Sequence, residues 1–158
     1  MGPLEGIRVL DLSNFLAAST AGRIMAEWGA DVIKIEPPQG DTYRNNGPYM
    51  GIPIYERGVV GNPSYDNENG NKRWVALNLK SEKGKEALFK LLDTADVLLT
   101  NYRPGALKKL GISYEDLKER YPGLVYGMIL GYGPKGPAKD KPGFDYTAFY
   151  ARSGLMAD

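Results

Sequence analysis

The sequence predicts an α/β protein, an open and mainly parallel sheet with helices on both faces. Three observations carry this. Short apolar, β-rich runs alternate with segments of helical period. The first run, the helical segment after it and the second run follow so closely that they read as one βαβ unit, whose crossover is right-handed in nearly all proteins. At 158 residues, with no internal repeat and no second composition block, the chain reads as one domain spanning 1–158.

The elements follow in order. "IRVLDLS" (7–13) is the first strand. Beyond it, Ala21, Ile24, Met25 and Trp28 fall at the i, i+3, i+4, i+7 spacing of one helix face, with Ser13 or Asn14 as candidate cap and Gly29 as candidate stop. "DVIKIE" (31–36) is the second strand, stopped by Pro37 and Pro38. Residues from about 41 to 68 are crowded with Gly, Pro, Asn and Tyr and keep neither period, so they read as a long irregular loop of the functional kind. "WVALNL" (74–79) restores the strand pattern, Ser81 caps a helix burying Ala87, Leu88, Leu91 and Leu92, and "DVLLT" (96–100) is the next strand. A short helix near 105–110 and another opened by the capping-box pattern from Ser113 lead to the strand "LVYGMIL" (124–130). The tail passes through "GYGPKGPAKDKPG" as loop into a helix begun by "FDYTAFYARSGLMAD".

Composition narrows the chemistry. Lys plus Arg number 20 against 19 Asp plus Glu, so no overall field draws the chain to nucleic acid or a membrane surface, and any anion site must be local. There is no Cys and no His, which removes disulfides, thiolate chemistry and the commonest general base and metal ligands. No metal is expected, and catalysis would fall to carboxylates, lysines, tyrosines or hydroxyls. No run approaches the roughly 20 apolar residues of a membrane span, and the N-terminus lacks a signal pattern. The expected setting is cytoplasmic.

In open α/β sheets ligands bind beyond the carboxyl ends of the strands. The first exit, "SNFLAASTAG", lacks Gly-x-Gly-x-x-Gly, which disfavours a dinucleotide site. Its small residues Ala17, Ala18 and Ser19 either let a flat ring or an anion approach the helix N-terminus or simply pack the helix on the sheet. Cations gather around the later strands: Lys72 and Arg73 before one, Lys80 after it, then Arg103, Lys108 and Lys109 after the next, beside the Asn101 amide and the Tyr102 phenol. A parallel sheet would bring these loops to one rim suited to a phosphorylated ligand. The alternative for each lysine is a solvated basic face.

The blocks "GADVIKIE", "NKRWVALNLK", "ADVLLTNYRPGALKKLG" and "GYGPKGP", in this order, with "KPGFDYTAFYARSGLM" after them, resemble the class III coenzyme A transferases, the family of formyl-CoA and carnitine-CoA transferases. The resemblance covers essentially the whole chain apart from the loop near 41–68. It implies a Rossmann-like N-terminal part of an interlocked homodimer, with CoA or acyl-CoA as the bound substrate and a carboxylic acid as acceptor. It also implies that Ala17, Ala18, Leu77, Lys80, Asn101, Tyr102, Arg103 and Lys109 line the CoA site. Some members carry His, Gln and Arg where Asn14, Leu16 and Pro37 stand here, so those three contacts differ.

The same resemblance places the nucleophilic aspartate downstream of this chain and predicts that these residues alone bind CoA without transferring it. Asp145 and Asp158 read as structural or solvent-exposed. In the mechanism implied, that aspartate attacks the acyl-CoA thioester and is converted through a mixed anhydride to an aspartyl-CoA thioester, from which CoA passes to the acceptor, in one reading a 2-hydroxy acid. Alternatives are a 2-methylacyl-CoA racemase and a noncatalytic CoA- or nucleotide-binding module. The racemases commonly place a proton-exchanging His where Phe144 stands, which favours transfer.

Overall fold

The computed structural model describes residues 2–45 and 62–156. Five strands, β1 (Arg8–Leu12), β2 (Asp31–Glu36), β3 (Arg73–Ala76), β4 (Val97–Thr100) and β5 (Val125–Met128), form one sheet in the order β3-β2-β1-β4-β5. Every pairing is parallel. The order reverses between β1 and β4, which places the crevice of a doubly wound sheet at their carboxyl ends. Four of the expected strands are shorter than their apolar runs, and only β2 matches its run.

Side chains alternate across each strand. Leu10, Leu12, Ile33, Ile35 and Leu98 point to one face, where α3 (Glu82–Leu92), α4 (Pro104–Leu110) and α5 (Tyr114–Leu117) cover them with Leu88, Leu92, Leu107 and Leu117, joined by Ile112 from the α4–α5 connection. Val9, Val32 and Leu99 meet α1 (Ala17–Glu27) on the other. The expected caps of α3 and α5 hold: the Ser81 hydroxyl accepts the Gly84 N–H at 3.1 Å, and Ser113 with Asp116 closes a capping box.

The α1 face carries something a doubly covered parallel sheet ordinarily excludes, namely charge. Asp11 of β1 and Lys34 and Glu36 of β2 all point there and are buried. Lys72 Nζ lies 2.8 Å from Asp11 and donates to the Ser19 carbonyl and to Asn69. Lys34 Nζ lies 3.0 Å from Asp41 and donates to Ser19 Oγ and the Ser13 carbonyl. Both pairs have essentially no exposed side-chain surface. Burial holds the Lys72 ammonium below its ordinary value despite the adjacent carboxylate. Removing one member of such a pair strands the other at a cost of about 3–5 kcal/mol.

This cluster corrects the expected face of α1. Ile24 and Trp28 are exposed, Ala21 and Met25 pack half-buried at the edge of the core as expected, and the fully buried face is Ala18, Ser19, Gly22 and Ala26. A Cβ on Gly22 would stand 2.8 Å from Asp11 Oδ2, so only the small-residue face fits over the ion pairs. Neither Ser13 nor Asn14 caps α1, which starts after Leu16 without a side-chain cap, while Gly29 does follow its end with φ +98°. Lys72 and Arg73 are not at the ligand rim either: Lys72 is inside the cluster, and Arg73 bonds Asp31 at the amino ends of the strands.

The segment expected to be irregular is partly ordered. Thr42–Asn45 forms a 3₁₀ turn, and Pro63–Asn69 forms α2, whose cap Asn62 accepts the N–H groups of Ser64 and Tyr65. Residues 46–61, the rest of that loop, lie outside the described residues, as does Asp158. Glu36 ties the turn and α2 together, accepting from Arg44 Nε and Nη2 (2.8 and 2.9 Å) and from the Tyr65 hydroxyl. After β5 the chain forms a π-helical turn over Asp145–Tyr150 and a last helical turn, α6 (Ala151–Ser153). Phe144, Tyr146, Phe149 and Tyr150 are exposed there. Among the described residues no helix is long and apolar enough to cross a membrane.

Two outcomes are expected. Gly84→Ala would favour an open helix by about 1 kcal/mol, but here its methyl would overlap the Asn78 carbonyl. The substitution should therefore destabilise by roughly 1–3 kcal/mol, read as a lower urea midpoint. For Glu36, burial raises the carboxyl, but the bonds from Arg44 and Tyr65 together outweigh it and its pKa lies below the ordinary 4.5. A depressed carboxylate contributes stability that is complete above the unfolded value and lost as pH falls through the folded one. Arg44→Ala should lower Tm near neutral pH, and its Tm deficit should shrink as pH falls below about 4.5.

Candidate functional site

Two adjoining clefts open at the carboxyl ends of the strands, and Tyr102 lines both. The smaller, of about 490 Å³, has Leu12 and Ile35 at the strand ends, Pro37 and Pro38 after β2, and Leu77, Asn78 and Lys80 after β3. The larger, of about 790 Å³, lies at the β1/β4 crevice and takes its walls from Phe15, Leu16, Ala17, Asn101, Arg103 and the tail around Phe144. These volumes suit small-molecule ligands.

The crevice is held by an amide. Asn101 Oδ1 accepts the Asn14 N–H at 3.0 Å, and its Nδ2 donates to the Asn14 carbonyl at 2.6 Å, continuing the β1/β4 pairing beyond the strands. The Asn14 side chain in turn accepts from Thr42 N and Oγ1, both at 3.2 Å. Phe15 follows with φ +67°, in the left-handed region that non-glycine residues seldom enter. Its N–H donates to both Asp41 oxygens, at 3.1 and 3.3 Å.

The far wall is built by the tail. Asp140 Oδ1 accepts the Gly105 N–H at 3.2 Å, in the first turn of α4, and its carbonyl accepts from Arg103 Nη1 at 3.3 Å. Gly131 and Gly143 pass with backbones in contact, so any Cβ at either would strike the other strand of the tail. That crossing sets Phe144 opposite Phe15, with ring centroids 6.2 Å apart and edge-on.

Of the residues expected at the site, Leu77, Lys80 and Tyr102 line the smaller cleft, while Ala17, Asn101, Tyr102 and Arg103 line the larger. Ala18, on the buried face of α1, is fully covered by the core and lines neither. Lys109 lines neither and sits with Lys108 in the last turn of α4, where the helix dipole favours cations. The Tyr102 phenol is pushed above its ordinary value by burial, reinforced by the Asp41 and Glu36 charges, and stays a neutral hydrogen-bonding group near pH 7. Lys80 and Arg103 are exposed cations facing the two openings. Asp145 is exposed at the rim of the larger cleft. No group of three or more metal-ligating side chains occurs among the described residues.

Sequence reasoning missed Phe15, Asp41 and Asp140. One signal was present: a lysine in the middle of a strand covered on both faces, as Lys34 is, requires a buried anionic partner.

The comparisons agree with this architecture. The description "CoA-transferase family III" matches residues 4–157. A cinnamoyl-CoA:phenyllactate CoA-transferase of Clostridium sporogenes is 55% identical over 96% of this chain and 36% of its own length. An (R)-2-hydroxy-4-methylpentanoate CoA-transferase of Clostridioides difficile is 51% identical over 96% of this chain and 37% of its own. The crystal structure of a CAIB/BAIF family protein from Brucella suis superposes with a TM-score of 0.86 at 35% identity, over 98% of this chain and 40% of that one. The chain thus spans little more than a third of the curated relatives it matches. The superposition shows that the fold is shared over that span, and the chain belongs to CoA-transferase family III.

Proposed function

We propose that this chain supplies the CoA-binding part of an enzyme that moves CoA from an acyl-CoA donor to a carboxylic acid, with a 2-hydroxy acid as acceptor. One observation carries the reading. The two clefts meet at Tyr102 on the carboxyl edge of the sheet, with an exposed cation at each opening and apolar walls between. A ligand with a flat base, phosphates and an acyl arm asks for that combination. The names of both clostridial relatives include a 2-hydroxy acid, phenyllactate in one and 2-hydroxy-4-methylpentanoate in the other.

In this reading Leu77 and Tyr102 give apolar and aromatic contact, Lys80, Arg103 and Lys109 meet phosphate charge, and Ala17, Ala18 and Asn101 shape the approach at the first and fourth strand exits. The reaction runs through an aspartate beyond residue 158. Its carboxylate attacks the thioester carbonyl and expels CoA thiolate, leaving an acyl-aspartyl anhydride. The thiolate attacks the aspartyl carbonyl, releasing the donor acid and leaving an aspartyl-CoA thioester. The acceptor carboxylate repeats the sequence in reverse, ends as acyl-CoA and frees the aspartate. Every displacement is made by a carboxylate or a thiolate, so no histidine base is needed. We place the working enzyme in the cytoplasm as a homodimer, with the exposed tail aromatics covered by further polypeptide.

Isothermal titration of the intact enzyme should show CoA binding about tenfold more tightly than dephospho-CoA, a difference of roughly 1.4 kcal/mol, and Lys80→Ala should narrow that gap. Equal affinities would remove the 3′-phosphate contact. Residues 1–158 alone should transfer no acyl group. Turnover by that chain would bring Asp145, at the cleft rim, into the chemistry.

A further inference from the structure

We propose that Phe15 sets the acyl preference of this site, its ring forming the wall for an aryl or bulky branched side chain, and that Asp41 is the positioning residue holding the ring there. The inference rests on the acyl-transfer reading above and goes beyond it in naming the side chain the cleft accepts.

A non-glycine residue in the left-handed region persists only where its surroundings over-determine it. At Phe15 they do. Its N–H is held by both Asp41 oxygens, and Asp41 is itself buried against Lys34 at 3.0 Å. The same ammonium donates to the Ser13 carbonyl on one side of Phe15 and to Ser19 Oγ on the other, so one buried cation fixes the segment before the bend, the segment after it and the carboxylate between. Asp41 also accepts the Tyr43 N–H at 2.9 Å, and the buried Tyr43 ring backs that of Phe15 with centroids 4.6 Å apart.

A residue needed only for packing does not require this conformation. The clamp turns an aromatic ring, half-buried, onto the wall of the larger cleft, opposite Phe144 and beside Leu16, Ile129 and Leu130. Arg103 and Lys141 line the same cleft and supply charge for a carboxylate or phosphate. An apolar wall of this size rewards an acid whose side chain covers it and gains nothing from a short one. Local conformational rules are broken at functional positions when the rest of the structure supports the exception.

The test uses the intact enzyme with 3-phenyllactate and lactate as competing acceptors, and reads the ratio of their kcat/KM values. The parent should prefer phenyllactate by at least about tenfold. Phe15→Gly suits the left-handed backbone, so the fold should hold while the ratio falls about tenfold or more, through KM for the acid. Asp41→Asn should lower the same ratio, and the double variant should lose little beyond Phe15→Gly alone, the signature of one residue acting through the other. If Asp41→Asn does not fold, Tyr43→Leu removes the backing ring and should lower the ratio in its place. A Phe15→Gly ratio within about twofold of the parent overturns the proposal, as does a parent with no preference. No CoA transfer to either acid would instead sink the transfer reading.

Discussion

Two lysine–aspartate pairs buried between the sheet and α1 are the constraint on which the rest of the fold depends. Lys34–Asp41 and Lys72–Asp11 are buried, and each lysine is completed by serine or asparagine partners. A cluster of this kind is weak as a source of stability, since apolar residues of the same volume would serve about as well. Its consequence is geometric. It requires a small-residue face on α1, draws Asn69 of α2 and the Asp41 segment onto the sheet, and bends the chain at Phe15. The two strand exits that open the larger cleft therefore cannot move independently of the core.

A second layer of polar contacts transmits that constraint to the ligand edge. Asn101 joins the β1 and β4 exits, Asn14 joins the first exit to Thr42, and Asp140 fastens the tail to α4. Side chains that face a ligand can then sit on loops and still be held to a fixed geometry, because each loop is tied to a rigid element. The division of labour between Asn101 and Tyr102 follows from this: the amide holds the crevice together, and the phenol lines both of its clefts.

Much of this was legible in the sequence, and the reasons differ by element. The central strands β1, β2 and β4 read correctly because both faces of each are covered, so their apolar runs stand out whatever the local loops do, and the less covered edge strands β3 and β5 still keep short apolar runs. α3 and α5 read correctly because Ser81 and Ser113 carry their caps locally. α1 was placed correctly but its buried face is rotated from the expected one, with Ala21 and Met25 reaching the core and Ile24 and Trp28 not, since periodicity reports where apolar residues lie and not what opposes them, and Asp11 and Lys72 leave room only for glycine, alanine and serine. α2 was hidden in a polar segment, although Asn62 followed by Pro63 is a helix start in itself. At the site, six of the eight expected residues line one cleft or both. Phe15 and Asp41 were not legible, because their pairing arises from a backbone bend that exists only after β1, β2 and α1 have packed.

The central claim is that a buried ionic clamp fixes the carboxyl-end strand exits as the CoA edge of the molecule. Amide hydrogen exchange of the intact enzyme with and without CoA tests it most directly. The account predicts protection gained at residues 14–17, 77–80 and 101–103, with no change at the amino ends of the strands, 29–31 and 94–96. Protection confined to those amino ends, with the exits unchanged, would contradict it.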